Sequence, residues 1–257
     1  MQIDVVLTPA EFPALAARDL AHTTCVVFDV LRATSSMLTA LNNGAEAIVP
    51  VVEITEALAI NAKQPSVLLA GERHGLRISK ELTGSVDFDF GNSPRDFTAD
   101  KVRGQTIAWT TTNGTRALRA CAHAEMVLLG ALVNLSTLAD LLGTLRPKNL
   151  LLVCAGTFEE GAFEDQFAAG ALIESLASPQ PRSLSDSAHL VWRAGRQAGS
   201  DSAALIDSSL NARRLMANPA LAPDVPLCLQ RDTIQLNASM LTDSSVRPMR
   251  GFGAKLA

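Results

Sequence analysis

TTCVVFDVLRATSSMLTALNNG, residues 23–44, changes character within a few positions. TTCVVF is a β-branched apolar run of the length of a buried strand, and Asp29 closes it. ATSSMLTALNNG then carries apolar residues at the 3.6-residue spacing of a helix. A strand that passes directly into a helix is the repeating unit of an α/β protein. The unit recurs along the chain. IDVVL, AIVPV, SVLLAG, QTIAWT, MVLLG and NLLLVCAG are further strand-like runs, while VEITEALAINAK and NLSTLADLLGTL repeat the helical spacing. The expectation is a mainly parallel or mixed central sheet, buried on both faces in a three-layer α/β/α arrangement. After residue 162 the chain reads mostly helical (FEDQFAAGALIESLA, DSAHLVWRAGRQAG, SLNARRLMA), interrupted by the loop SPQPRS at 178–183. With 257 residues the chain can bury one large core or two close-packed lobes. One domain over 1–257 is expected, with a weak linker signal for a lobe boundary at 130–148.

Composition narrows the function. The formal net charge is -4, so no basic footprint for nucleic acid exists, and an anionic substrate must be attracted locally. Tyr is absent and aromatics are 4%, which leaves no stacking platform for bases. No apolar run has the roughly 18–20 residues of a membrane span, and MQIDVVLTPAEF reads as a strand rather than a leader. Cys25, Cys121, Cys154 and Cys228 are far apart without CxxC spacing. Free thiols in a reducing cytoplasm are expected, with neither a disulfide framework nor a zinc site.

In α/β sheets ligands bind where strands end, and five strand ends here are polar. In FDVLRATSS, Asp29 sits at a position that is costly for a carboxylate unless paired or bound to a cation. Arg32 follows, and Thr34, Ser35 and Ser36 supply hydroxyls at the helix start. The structural alternative is an Asp29–Arg32 pair beside an N-cap. In LAGERHG, Gly71 permits a turn or a close approach, and Glu72 and Arg73 bring charge beside it; His74 reads as a bystander. FDFGNSPRDF reads as a turn leading to a helix N-terminus, with Asn92 and Ser93 before Pro94. In TTTNGTRAL, Asn113-Gly114 permits positive φ, so that backbone N–H groups curl into an anion nest. Thr111, Thr112 and Thr115 add hydroxyls there, and Arg116 adds a bidentate fork; a capped helix after a tight turn explains the same residues. In CAGTFEEGAFED, Glu159 and Glu160 read as solvated, whereas Glu164 and Asp165 open a helix. Carboxylates without Cys or His point to Mg²⁺ rather than Zn²⁺. Together these residues point to metal-assisted phosphoryl transfer or hydrolysis on a small polyanion.

The ordered series DVLRATS, LAGER, FDFGNSP, TTTNGTRAL, Asn134 and CAGT…ED…AAG resembles the 2-phosphosulfolactate phosphatases over residues 24–170. The resemblance implies Mg²⁺-dependent hydrolysis of 2-phosphosulfolactate to 3-sulfolactate and phosphate, in sulfonate metabolism that includes coenzyme M biosynthesis, by a cytoplasmic homodimer. Its substrate carries phosphate, carboxylate and sulfonate, which Arg32, Arg73 and Arg116 would meet. On this reading Asp29, Arg32 and Asp165 are catalytic, and Asp29, Glu72, Glu164 and Asp165 are the candidate Mg²⁺ ligands. Thr34, Ser35, Arg73, Asn92, Ser93, Thr112, Asn113, Gly114, Thr115 and Arg116 are the substrate-binding set. The general acid for the leaving alkoxide is not identified. Two features depart from the family: a longer segment over 73–89, and Asn211-Ala212 where family members tend to show Ser-x-His-Gly. Alternatives are a phosphatase of this fold for another phosphorylated hydroxy acid, and an anion-binding homologue without turnover. A haloacid-dehalogenase-like mechanism with Asp29 as nucleophile needs a second Asp two positions on, where Leu31 stands.

Overall fold

The computed structural model describes residues 1–176, 183–197 and 202–249. The expected SPQPRS loop, 178–183, lies outside them except for Ser183. The strands are β1 (Gln2–Val6), β2 (Thr23–Phe28), β3 (Ala47–Pro50), β4 (Leu68–Arg73), β5 (Leu76–Arg77) and β6 (Thr106–Thr110). They continue with β7 (Met126–Gly130), β8 (Asn149–Cys154), β9 (Ser183–Leu184), β10 (Ala238–Met240) and β11 (Val246–Pro248). They form one mixed, mostly parallel sheet in the order β5-β4-β6-β3-β11-β10-β7-β2-β8-β1-β9.

Each of the seven apolar runs read from the sequence is a strand, and alternation along them shows why they are continuously apolar. In β2, Cys25 and Val27 enter one core cluster while Val26 and Phe28 enter the other. Val127 and Leu129 of β7 oppose Leu128, and Leu151 and Val153 of β8 oppose Leu150 and Leu152, in the same way. Successive side chains point to opposite faces, so a strand covered on both faces needs no polar positions. Helices Ala33–Asn42 and Gly114–Ala120 cover one face; Leu135–Leu145 and Phe163–Ser175 cover the other. Full burial of each such aliphatic side chain contributes about 1.5–3 kcal/mol.

The sheet contains two parallel blocks, β4-β6-β3 and β7-β2-β8-β1-β9. The antiparallel hairpin β10–β11 joins them, pairing β7 on one side and β3 on the other. Three antiparallel steps separate the blocks, so they run in opposite senses. The segment 130–148 lies inside one block, between β7 and β8. The second half is helical as its periodicity indicates, except for this hairpin and β9. Their two- and three-residue strands are too short to show an alternation.

Candidate active site

The carboxyl ends of β2, β4, β6 and β8 meet at a cleft open to solvent. Its wall includes Asp29, Arg32, Glu72, His74, Asn92, Thr112, Asn113, Phe158, Asn211 and Arg214.

Asp29 follows the last residue of β2 and is buried. Its backbone N–H donates to Thr34 Oγ1 at 3.1 Å, the Thr34 hydroxyl donates to the Asp29 carbonyl at 2.9 Å, and Ala33 N–H donates to Asp29 Oδ1 at 3.0 Å. The Ser35 hydroxyl donates to the Val30 carbonyl, and that of Ser36 to the Asn92 carbonyl. Thr34 and Ser35, expected to touch substrate, thus build the strand-to-helix turn and are absent from the cleft wall. Arg32 does not pair with Asp29. Its guanidinium donates from Nη1 to Asp224 Oδ2 at 2.7 Å and from Nη2 to the Gly75 carbonyl at 2.6 Å. Asp224 is fully buried and also accepts from the Ser93 hydroxyl at 2.7 Å and Arg95 Nε at 2.6 Å. Ser93 therefore serves this ion-pair cluster. Pro94–Asp96 after it is a single 3₁₀ turn, so the helix N-terminus expected there does not form.

The carboxylates divide into two groups. Asp29 and Glu72 face the cleft. Glu164 and Asp165 are buried behind it, in the first turn of helix Phe163–Ser175. Asp165 accepts the Val30 N–H at 2.8 Å and the Gly156 N–H at 2.9 Å, tying the loops after β2 and β8 together. Glu164 accepts from the Ser209 hydroxyl at 2.6 Å and from Asn211 Nδ2 at 2.9 Å. Burial pushes the Asp29 carboxyl up to about 7, and the neighbouring Glu72 and Glu164 add to the rise against the pull of Ala33 N–H and Arg32. Burial likewise holds Asp165 well above the carboxylate range, reinforced by Glu164 and Asp29. Among the described residues no three His, Cys, Asp or Glu side chains form a metal cage.

TTTNGTRAL does hold an anion, and that anion belongs to the protein. Thr112 donates through its N–H at 2.8 Å and its hydroxyl at 2.9 Å to Glu72 Oε1, whose Oε2 accepts Gly75 N–H at 2.6 Å. Thr111 and Thr115 bond to one another across the turn. Asn113 has φ -125, and Gly114 is not among the positive-φ glycines. The expected left-handed turn is therefore not the reason for Asn-Gly. Space is: a Cβ on Gly114 would lie 2.5 Å from Asp29 Oδ2 and 2.7 Å from the Ala33 Cβ. Asn113 Nδ2 donates to the carbonyls of Ala155 and Phe158, both at 2.9 Å, fastening the loop after β8. Arg116 points away from the cleft wall, 3.0 Å from Glu159 and over the Phe12 ring. Arg73 is turned onto the Glu72 and Val52 carbonyls and the Thr110 hydroxyl.

Two residues of the wall carry a buried side-chain oxygen without a partner. Asn92 Oδ1 and Asn113 Oδ1 are buried with no hydrogen bond among the described residues. An orphan acceptor in a polar wall marks a place for a ligand. Asn92 and Asn113 stand in the cleft wall together with Asp29, Glu72 and the cationic Arg32 and Arg214. His74 also belongs to the wall, although its sequence context reads as a bystander. Asp224, Ser209 and Arg214 come from the helical second half, where no motif marks them; Asn211 of the wall is the residue noted in the sequence as departing from the family's Ser-x-His-Gly pattern.

A family model described as 2-phosphosulpholactate phosphatase matches residues 7–239. A protein of Caldanaerobacter subterraneus subsp. tengcongensis named "Probable 2-phosphosulfolactate phosphatase" is 45% identical over 163 residues, covering 63% of this chain and 64% of its own length. Proteins with the same name from Clostridium novyi and Thermotoga maritima are 31% and 34% identical over 92% and 90% of this chain, and 95% and 91% of their own lengths.

Proposed function

This chain belongs to the 2-phosphosulfolactate phosphatase family, and from that premise we propose that it is a Mg²⁺-dependent phosphoric monoester hydrolase acting on 2-phosphosulfolactate. The products are 3-sulfolactate and phosphate. The observation that carries the reading is the cleft itself, where the acceptors Asp29, Glu72, Asn92 Oδ1 and Asn113 Oδ1 share one wall with Arg32 and Arg214. A phosphate ester bridged to a hard cation needs both kinds of group side by side.

The acceptor set fits Mg²⁺, which keeps several waters and takes only one or two carboxylates plus substrate oxygens. Asp29 and Glu72 would hold it, with the two orphan amide oxygens beside them. Held there, Mg²⁺ would supply Lewis-acid charge neutralisation for a phosphoryl group and an activated water. The remaining work falls to the chain. Arg32, gripped by Asp224 and the Gly75 carbonyl, offers a preorganised guanidinium to the phosphoryl group. Glu164 and Asp165 stand behind the wall and lock the loops that carry Asp29 and Gly156. Water attacks phosphorus, the P–O bond to the lactate carbon chain breaks, and the departing alkoxide takes up a proton.

The test is phosphate release from 2-phosphosulfolactate with Mg²⁺ and with EDTA. Release that depends on Mg²⁺ supports the proposal, and no release under any condition refutes it. A second reading, hydrolysis of another phosphorylated hydroxy acid, draws on Asn211, which stands in the cleft wall where family members tend to carry His. A panel of phosphorylated hydroxy acids ranks the two. The family resemblance also supports a homodimer, which light scattering measures directly.

A further inference from the structure

Arg32, held by Asp224, stands at the buried end of the cleft. Three other arginines nearby are taken up by protein partners: Arg95 pairs with Asp224 and Arg116 with Glu159. Arg73 is bonded to two carbonyls and Thr110. Arg214 is different. It lines the cleft, is exposed, and no carboxylate among the described residues lies within ion-pair distance of it. Its guanidinium carbon lies 5.1 Å from the centroid of the Phe158 ring. Phe158 is 48% exposed, an unusual position for a large apolar ring. It is held in place by its carbonyl bond to Asn113, and the His74 ring tilts against it at 6.4 Å. The cleft therefore has a buried end, with Asp29 and Arg32, and an exposed end, with Arg214 on an aromatic plate.

We infer that Arg214, stacked on Phe158, binds the sulfonate of the substrate and so sets the choice between sulfonated and unsulfonated phospho-acids. The inference rests on the phosphatase reading above. The phosphoryl group belongs at the buried end, with the metal acceptors and Arg32, which leaves the exposed end for a distal anion. A sulfonate carries one charge spread over three oxygens and is ionised at every working pH. A guanidinium is itself delocalised and weakly hydrated, and it stacks on aromatic faces while presenting an edge of N–H donors. The two suit one another at a half-open site better than a strongly hydrated ammonium would.

The experiment compares kcat/KM for 2-phosphosulfolactate and for 2-phospholactate, the same skeleton with hydrogen in place of the sulfonate. In Arg214→Ala the preference for the sulfonated substrate should fall about 30-fold, as expected for losing a charge-assisted hydrogen bond, and mainly through KM. Arg214→Lys should restore part of the preference, and Phe158→Ala should lower it about 3-fold by freeing the guanidinium. An unchanged preference overturns the inference. So does an equal loss on both substrates, which would put Arg214 on the shared phosphate or carboxylate. Titration with 3-sulfolactate and with lactate reads the same contact without turnover. Wild type should bind sulfolactate more tightly, and Arg214→Ala should erase the difference; equal binding of both acids by wild type overturns the inference. A sulfolactate preference that survives when no phosphate is released from any substrate counts against the proposed reaction and leaves the Arg214 assignment standing.

Discussion

Replacing Asp29 by Asn exchanges a buried carboxylate for a neutral group of the same shape, and it isolates what that charge costs the fold. Burial raises the Asp29 carboxyl from 3.8 to about 7, so the folded protein holds this proton more tightly than the unfolded chain does. Below pH 4 both states are protonated, and wild type and variant should differ little. Between pH 4 and 7 folding takes up a proton, so wild-type stability falls by about 1.4 kcal/mol per pH unit. Above pH 7 the loss levels off at roughly 4 kcal/mol. Water reaches the open cleft and screens part of this, so the variant should gain about 2–4 kcal/mol at pH 8. For a chain of this size that corresponds to about 5–15 °C in Tm. Urea and thermal unfolding in EDTA at pH 4.5, 6 and 8 measure the difference. Mg²⁺ at pH 8 should then raise the Tm of wild type and not of the variant, which should also lose turnover. A variant no more stable than wild type at pH 8, or a difference that does not change with pH, refutes the reasoning.

Asp224→Asn leaves Arg32 buried without its counter-charge; a loss of about 3 kcal/mol in urea unfolding is expected. Turnover should fall with it, because Arg32 would keep only the Gly75 carbonyl to direct it. Gly114→Ala forces a methyl group against Asp29 Oδ2 and Ala33. It should cost about 1–3 kcal/mol and lower kcat by about 100-fold, measured by unfolding and phosphate release. All four cysteines are free and buried. Burial pushes Cys228 up to about 12 and Cys154 well above the thiol range, and contact with Cys25 does the same to Cys121. An aromatic disulfide reagent at pH 8 should therefore label almost no thiol in the native protein and four per chain in denaturant.

The fold was legible because it is local: TTCVVF or NLLLVC declares its strand within six residues, and ATSSMLTALNNG its helix within ten. The site was legible only where chain direction alone determines position. A residue that follows a parallel strand lands at a carboxyl edge, so Asp29 after β2 and Thr112 and Asn113 after β6 read as strand-end residues, whereas the meeting of two oppositely running blocks at one cleft is a property of the folded sheet. Side-chain direction could not. Arg32 looks, by spacing, like the partner of Asp29, and its actual partner is 192 residues away. Gly114 reads as a turn glycine, and only the three-dimensional packing reveals that the Asp29 carboxylate occupies the space of its missing side chain. Arg116 has the chemistry of a phosphate ligand, but a one-turn helix start rotates it onto Glu159. The short helices of the second half carry no motif of their own, so Asp224 and Arg214 give no signal before the chain is folded back over the cleft, and Asn211 is marked only as a departure from the family's Ser-x-His-Gly pattern.

These departures share a physical origin. Acceptors converge from both halves of the chain: Glu72 and Glu164 add to the cost of the buried Asp29 carboxylate, and Glu164 and Asp29 to that of Asp165. The helical second half contributes part of what offsets this. Ser209 and Asn211 donate to Glu164, and Asp224 fixes the one buried guanidinium that lowers the Asp29 carboxyl. Glu72 is met by donors from Thr112 and Gly75, so the least compensated carboxylate facing the cleft is Asp29, with the single donor Ala33 N–H, near two amide oxygens without donors among the described residues. A site left with excess acceptors is destabilised until something cationic binds, so the same residues that strain the empty fold are those that would hold the metal. Stability and affinity are then opposite readings of one quantity. A substitution such as Asp29→Asn should raise the first by about the free energy it removes from the second.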